Sequence, residues 1–160
     1  MEAIAYIPVR GGSKGIRDKW KVPVRGKPLF AYTFNHAQEA KRSGAANEVW
    51  VSTDIDALIV AATERGFRTI KTAAPTDHQQ QEVQMVELAR ALSAPVDMIL
   101  LQITSPVRRP VDIVSALRTY RRAVDNNPGK SVSLFSCTTT YSFVWRGSRI
   151  DGKLTPNYNV

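Results

Sequence analysis

The sequence predicts an α/β fold of three layers, with helices flanking a mainly parallel β-sheet. Three observations carry this. Short β-rich apolar runs alternate with longer helical patterns, the order that crossover units produce. Met98-Ile99-Leu100-Leu101 is apolar throughout, as in a strand covered on both faces. Helix stops stand where the pattern needs them, at Gly44, at Gly66 and in Asn126-Asn127-Pro128-Gly129. At 160 residues, one ordinary core is sufficient.

The elements follow in order. Ala3 to Val9 is a first strand. Pro28 to Arg42 is a helix, with Pro28 suited to its first turn and Leu29, Tyr32, Thr33 and Ala37 at helical spacing. Glu48 to Thr53 is a second strand, Asp56 to Arg65 a helix and Phe67 to Lys71 a third strand. Thr72 to His78 is a loop, and Gln79 to Ser93 places Val83, Val86 and Leu88 or Ala89 on one helical side. Asp97 to Gln102 is a fourth strand, Pro110 to about Val124 a helix and Ser131 to Cys137 a fifth strand. Tyr141 to Trp145 and Ile150 to Leu154 flank Asp151-Gly152 as a hairpin outside the main sheet. Residues 1–138 form a nucleotide-binding α/β domain on this reading, and 139–160 begin a hairpin or dimerisation arm.

Composition narrows the function classes. No apolar run approaches the length needed to cross a bilayer, and the N-terminus lacks a basic signal-peptide region, which predicts a cytoplasmic protein. One cysteine, Cys137, and two histidines, His36 and His78, make no zinc cluster, so any metal would be a hard, oxygen-bound ion. Cys137 reads as a small core residue, and neither histidine is assigned a catalytic role. The net charge is +8, pointing to an anionic partner. Seven basic residues lie within residues 1–27 against Glu2 and Asp18, so much of the excess surrounds one loop. A second cluster, Arg108, Arg109, Arg118, Arg121 and Arg122, reads as a solvated helix face. Neither cluster shows a recognisable reading helix, which argues against nucleic acid as a partner and makes a small phosphorylated ligand the better fit for the first.

Ligands of open parallel sheets bind outside the carboxyl ends of the strands, and three segments share that address. In Arg10-Gly11-Gly12-Ser13-Lys14-Gly15, the glycines permit torsions that turn consecutive amides toward an anion, and Arg10 and Lys14 add charge. The spacing is neither the G-x-x-x-x-G-K-[ST] loop nor the dinucleotide G-x-G-x-x-G. Lys19 can reach back to a phosphate as a point charge, whereas Lys21, Arg25 and Lys27 equally suit a solvated face. Asp54, closing the second strand, either holds a ligand hydroxyl or caps the helix near Asp56. Gln102, Thr104 and Ser105 offer an amide and hydroxyls to a polyhydroxy substrate, with Pro106 shaping the turn.

The run Ile7-Pro8-Val9-Arg10-Gly11-Gly12-Ser13-Lys14-Gly15-Ile16 resembles the opening motif of the acylneuraminate cytidylyltransferases, or CMP-sialic acid synthetases. Gly26-Lys27-Pro28-Leu29 with Ala31-Tyr32-Thr33 is similar to their first helix entry. Val51-Ser52-Thr53-Asp54 resembles their second strand, and Leu100 to Arg108 their L-L-Q-P-T-S-P-L-R stretch. The resemblance implies a Rossmann-like sandwich of the nucleotide-diphospho-sugar transferase type. It also implies magnesium as cofactor, a homodimer, and transfer of CMP from CTP to a nonulosonic or related sugar acid. Carried over by position, Arg10, Ser13, Lys14 and the loop amides of Gly11, Gly12 and Gly15 would bind the triphosphate. Lys19 would serve the α-phosphate region, and Gln102 the sugar.

Departures accompany the matches. Where the family reads Pro-Arg-Lys-Asn after Gly-Ile, this chain has Arg17-Asp18-Lys19-Trp20, replacing an asparagine close to the nucleotide. After the third strand the family's arginine is matched by Lys71, which keeps the charge but not the bidentate fork. The family's metal-binding aspartate turn lies beyond Val160, so no metal ligand is assigned here, and weak turnover is expected of the 160-residue form. The apolar fifth strand and hairpin predict self-association as a dimer or higher oligomer.

Overall fold

The computed structural model describes residues 2–13, 15–73, 85–86, 88–90, 92, 95–134 and 136, and the backbone of 145–147 and 154–156. β1 (Ala3–Val9) is buried along its whole length and forms the spine. After it come the two-residue strands β2 (Pro23–Val24) and β3 (Lys27–Pro28), α1 (Leu29–Arg42), β4 (Glu48–Thr53), α2 (Asp56–Thr63) and β5 (Arg68–Lys71). β6 (Asp97–Leu100) and α3 (Pro110–Asp125) complete the main body, and β7 (Trp145–Gly147) pairs antiparallel with β8 (Leu154–Pro156).

The sheet runs β5-β4-β1-β6, and every pairing in it is parallel. Alternation along β1 divides the core between its two faces. Ala3, Ala5, Ile7 and Val9 pack with Phe34 and Ala37 of α1, Leu58 of α2 and Ile113 and Leu117 of α3. Ile4 and Tyr6 pack on the other side with Leu88, itself helical, and with Trp50, Ile70 and Met98. α1 buries Leu29, Thr33, Phe34, Ala37 and Ala40, one stripe at helical spacing. Gly44 at φ +73° and Gly66 at φ +68° follow α1 and α2 in the left-handed conformation that stops a helix.

Several expectations are corrected. Pro28 ends β3 in an extended conformation and precedes α1 instead of occupying its first turn. β6 ends at Leu100, not Gln102, and Leu100 is exposed, because among the described residues only β1 pairs with this strand. Residues 131–134 and 136 of the expected fifth strand carry no strand pairing: their β-rich composition does not substitute for a ladder of hydrogen bonds. The hairpin exists, but its strands are Trp145–Gly147 and Leu154–Pro156, shifted from the expected segments. Of the helix expected over 79–93, residues 85–86 and 88–90 are helical and most of the remainder lies outside the described residues, as do His78 and Cys137.

The β2–β3 hairpin was not expected. Arg25 at φ 45° and Gly26 at φ 76° make the two-residue turn in which both central residues are left-handed. Tyr32 of α1 donates its hydroxyl to the Val24 carbonyl at 2.6 Å and holds this ribbon against the helix.

Candidate active site

Strand register brings the candidate segments to one edge. Val9 of β1 lies opposite Thr53 of β4, and Thr53 lies opposite Lys71 of β5. On the other side of β1, Tyr6 pairs with Leu100, and the Leu101 amide donates to the Tyr6 carbonyl at 2.8 Å. The chain leaves β1 toward β4 and β5, then returns to β6 on the opposite flank. The loops 10–19 and 102–108 therefore open on either side of the topological switch point, where sheets of this kind bind ligands.

The first loop is fastened internally. The Gly11 amide donates to Asp54 Oδ1 at 2.8 Å, and the Ser13 amide donates to the Gly11 carbonyl at 2.9 Å. Two amides expected to face an anion are thus committed within the protein. Gly11 and Gly15 are not among the glycines with left-handed torsions, so torsional freedom is not why they are glycines. At Gly11 space is tight: a Cβ there would stand 3.1 Å from Asp54 Oδ2. Asp54 does not cap α2, whose N-terminal flank is Ile55, its amide donating to Thr53 Oγ1 at 3.1 Å. Arg10 and Gly12 are exposed, Ser13 and Lys19 half-buried, and Lys14 lies outside the described residues.

Lys19 begins the short 3₁₀ turn Lys19–Lys21, preceded by Asp18 at φ 49°. Lys21 pairs with Asp18 at 2.8 Å, which holds the Asp18 carboxyl below its usual range. Trp20 packs on Phe30 with ring centroids 5.9 Å apart; Phe30 meets Phe34 and Phe34 meets Phe67. An aromatic ladder thus ties the basic turn to the core.

Across the edge, the Gln102 carbonyl accepts from Thr33 Oγ1 at 3.3 Å, the Ser105 amide at 3.4 Å and Arg108 Nη2 at 3.4 Å. These long contacts anchor a turn on which Gln102, Thr104 and Ser105 are all exposed. Arg108 is half-buried, contrary to a solvated helix face, and burial lowers its pKa. Arg109 instead pairs with Asp112 at 2.8 Å in the first turn of α3, and Arg121 with Asp97 at 3.2 Å. Lys71 stands at the binding edge, its ammonium 2.8 Å from Asp56 Oδ1.

The scaffold combines a basic glycine loop latched by an aspartate, a polar turn across the switch point and a lysine at the next strand end. A family model described as cytidylyltransferase matches residues 4–143. The chain belongs to the cytidylyltransferase family.

Among cytidylyltransferases, it is 31% identical over 129 residues to N-acylneuraminate cytidylyltransferase of Streptococcus agalactiae, covering 79% of this chain and 31% of that protein. It is 31% identical over 120 residues to 3-deoxy-manno-octulosonate cytidylyltransferase of Escherichia coli, covering 75% of this chain and 46% of that one. The solved structure of CMP:2-keto-3-deoxy-manno-octonic acid synthetase complexed with CTP is similar at a TM-score of 0.61 and 27% identity, over 81% of this chain and 49% of that chain. The chain therefore spans less than half the length of these three proteins. The similarity places the fold in the Rossmann-like nucleotidyltransferase type.

A magnesium cage is not assembled by the described residues. Among them no three His, Cys, Asp or Glu side chains cluster, Asp54 is engaged by Gly11, and Asp56 by Lys71. No helix among the described residues is long and apolar enough to cross a membrane. A cavity of about 240 Å³ lined by Asp97, Tyr120, Arg121, Val124 and Asp125 lies by the first residue of β6 and the last turns of α3, away from the loops of the site.

Proposed function

We propose that this chain carries the nucleotide-binding part of a cytoplasmic, CTP-dependent enzyme that transfers CMP to a sialic-acid-like 2-keto-3-deoxy sugar acid. The anomeric hydroxyl oxygen attacks the α-phosphorus, the bond to the β-phosphate breaks, pyrophosphate leaves and the hydroxyl proton passes to solvent. The observation that carries this reading is the latched basic loop facing the Gln102–Ser105 turn across the switch point. Such a transfer depends mostly on positioning and on neutralising charge that develops on phosphate oxygens. Arg10, Lys14 and Lys19 supply that charge, with Gly12, Ser13 and Gly15 completing the cradle. Lys71 joins them at little cost, since its pairing with Asp56 is solvent-exposed and weak. Gln102, Thr104 and Ser105 meet the hydroxyls of the sugar.

The identities to cytidylyltransferases of both an acylneuraminate and an octulosonate support the sugar-acid class without selecting a member. The test is pyrophosphate release with CTP, magnesium and each acid in turn, beside ATP, GTP and UTP. Release with CTP and either acid is the expected result; release only with a sugar phosphate and another nucleotide would move the chain to a different transferase class. The alternative reading is a module that binds nucleotide or sugar without turnover, which CTP binding with no pyrophosphate at any magnesium level would establish. We also propose a homodimer, supported by the exposed Leu100 on β6. Sedimentation as a strict monomer at micromolar concentration would reject it.

A further inference from the structure

We propose that Asp54 is a positioning residue whose carboxylate holds the phosphate loop in its binding shape. Resting on the CTP reading, the inference gives the aspartate that follows β4 a task other than ligand contact or helix capping. Two observations converge on it. The Gly11 amide donates to Asp54 Oδ1 at 2.8 Å, a charge-assisted hydrogen bond between segments 43 residues apart in the chain. At the same residue a side chain is sterically disfavoured, because a Cβ at Gly11 would lie 3.1 Å from Asp54 Oδ2. One carboxylate thus meets one loop residue with both oxygens, one as acceptor and one as the neighbour that a Cβ at position 11 would crowd.

An anionic residue beside a triphosphate site requires explanation, since its charge opposes the ligand. The latch supplies it. By fastening the loop directly after β1, Asp54 fixes the direction in which Gly12, Ser13 and the cations beyond leave the sheet. The Gly11 amide itself is spent on the protein. Order gained before binding lowers the entropic cost of ordering the loop around the nucleotide.

The acceptor function separates from the charge. Asp54→Asn keeps an acceptor oxygen and removes the repulsion; Asp54→Ala removes both. Titration calorimetry with CTP is expected to show Asp54→Asn within about threefold of the parent, and Asp54→Ala about tenfold or more weaker. Dideoxy-CTP should lose as much as CTP in Asp54→Ala, because the ribose hydroxyls are not the partner. Gly11→Ala should weaken CTP binding in the parent and have a smaller effect in Asp54→Ala, where that neighbour is gone, a non-additivity that general destabilisation does not produce. Amide hydrogen exchange at Gly11, measured by NMR without nucleotide, should accelerate about tenfold or more in Asp54→Ala and stay near the parent rate in Asp54→Asn.

The proposal is overturned if Gly11 exchange is unchanged in Asp54→Ala, if Asp54→Asn binds as poorly as Asp54→Ala, or if the Gly11 and Asp54 effects add. Accelerated exchange in Asp54→Ala, in a parent that does not bind CTP, supports the latch and sinks the nucleotide reading instead.

Discussion

His36 on α1 and Arg108 in the loop after β6 show how a polar edge shapes the residues behind it. His36 Nδ1 and Arg108 Nη1 are both buried without a hydrogen-bond partner among the described residues. Burial, and then the positive charge of Arg108, hold the His36 pKa below the ordinary imidazole range. The unfolded chain therefore takes up this proton before the native chain does, and stability rises with pH wherever the unfolded state binds more protons. Stability is full above the ordinary imidazole value of about 6.5, falls as pH drops through it, and levels off below the depressed native value. Urea midpoints at pH 7.5 and 5.5 should show this loss, and His36→Asn should reduce it; an identical loss in the variant would exclude His36 as its source. The sequence marked His36 only as helical, because its neighbour Arg108 lies across a tertiary contact. For Asp54 the sequence supports two readings for the same reason: its partner Gly11 is adjacent only through the β1–β4 register. Arg10, Ser13 and Gln102 were legible as site candidates because an address at the carboxyl end of a strand is a local property.

At the scale of elements, β1 and β4 were readable to the residue, and α1, α2, β5 and α3 to within two, because short β-rich runs mark the strands and helically spaced apolar residues between stop signals mark the helices. The β2–β3 ribbon has only two residues per strand, too few for any period, and its one signal was Arg25-Gly26 between Val24 and Lys27. A ribbon this short does not stand alone. It depends on its turn and on Tyr32. Gly26→Ala, forced to φ 76°, should cost about 1 kcal/mol, and Tyr32→Phe, losing the 2.6 Å bond to the Val24 carbonyl, also about 1 kcal/mol. Chemical denaturation measures both, and limited trypsin digestion should show faster cleavage after Arg25 in each variant. Unchanged midpoints and cleavage rates would show that the ribbon bears no load. Residues 131–134 and 136, which pair with no strand among the described residues, mark the opposite limit: β-rich composition alone does not make a strand, and it cannot announce a partner.

For the whole molecule, charge and topology act on the same edge. A net charge of +8, much of it between Arg10 and Lys27, lies beside the carboxyl end of the central strand. An anion gathered there meets cations that are mostly solvent-exposed, so their attraction is screened as ionic strength rises. Nucleotide binding should therefore weaken by about tenfold between low salt and several hundred millimolar, while cytidine, which lacks phosphates, should show little salt dependence. Topology decides how far the binding is felt. The loop grows from β1, which pairs with both β4 and β6 and contributes to both core faces, so a nucleotide held there would be released when any large part of the sheet unfolds. CTP should consequently raise the midpoint of the entire cooperative transition, in proportion to the logarithm of its concentration above the dissociation constant. A thermal scan in increasing CTP at low and high salt reads both effects together. A midpoint that rises with CTP equally at both salts would remove electrostatics as the source of affinity, and one that does not move with CTP would place the nucleotide on a part of the chain that opens independently of the sheet.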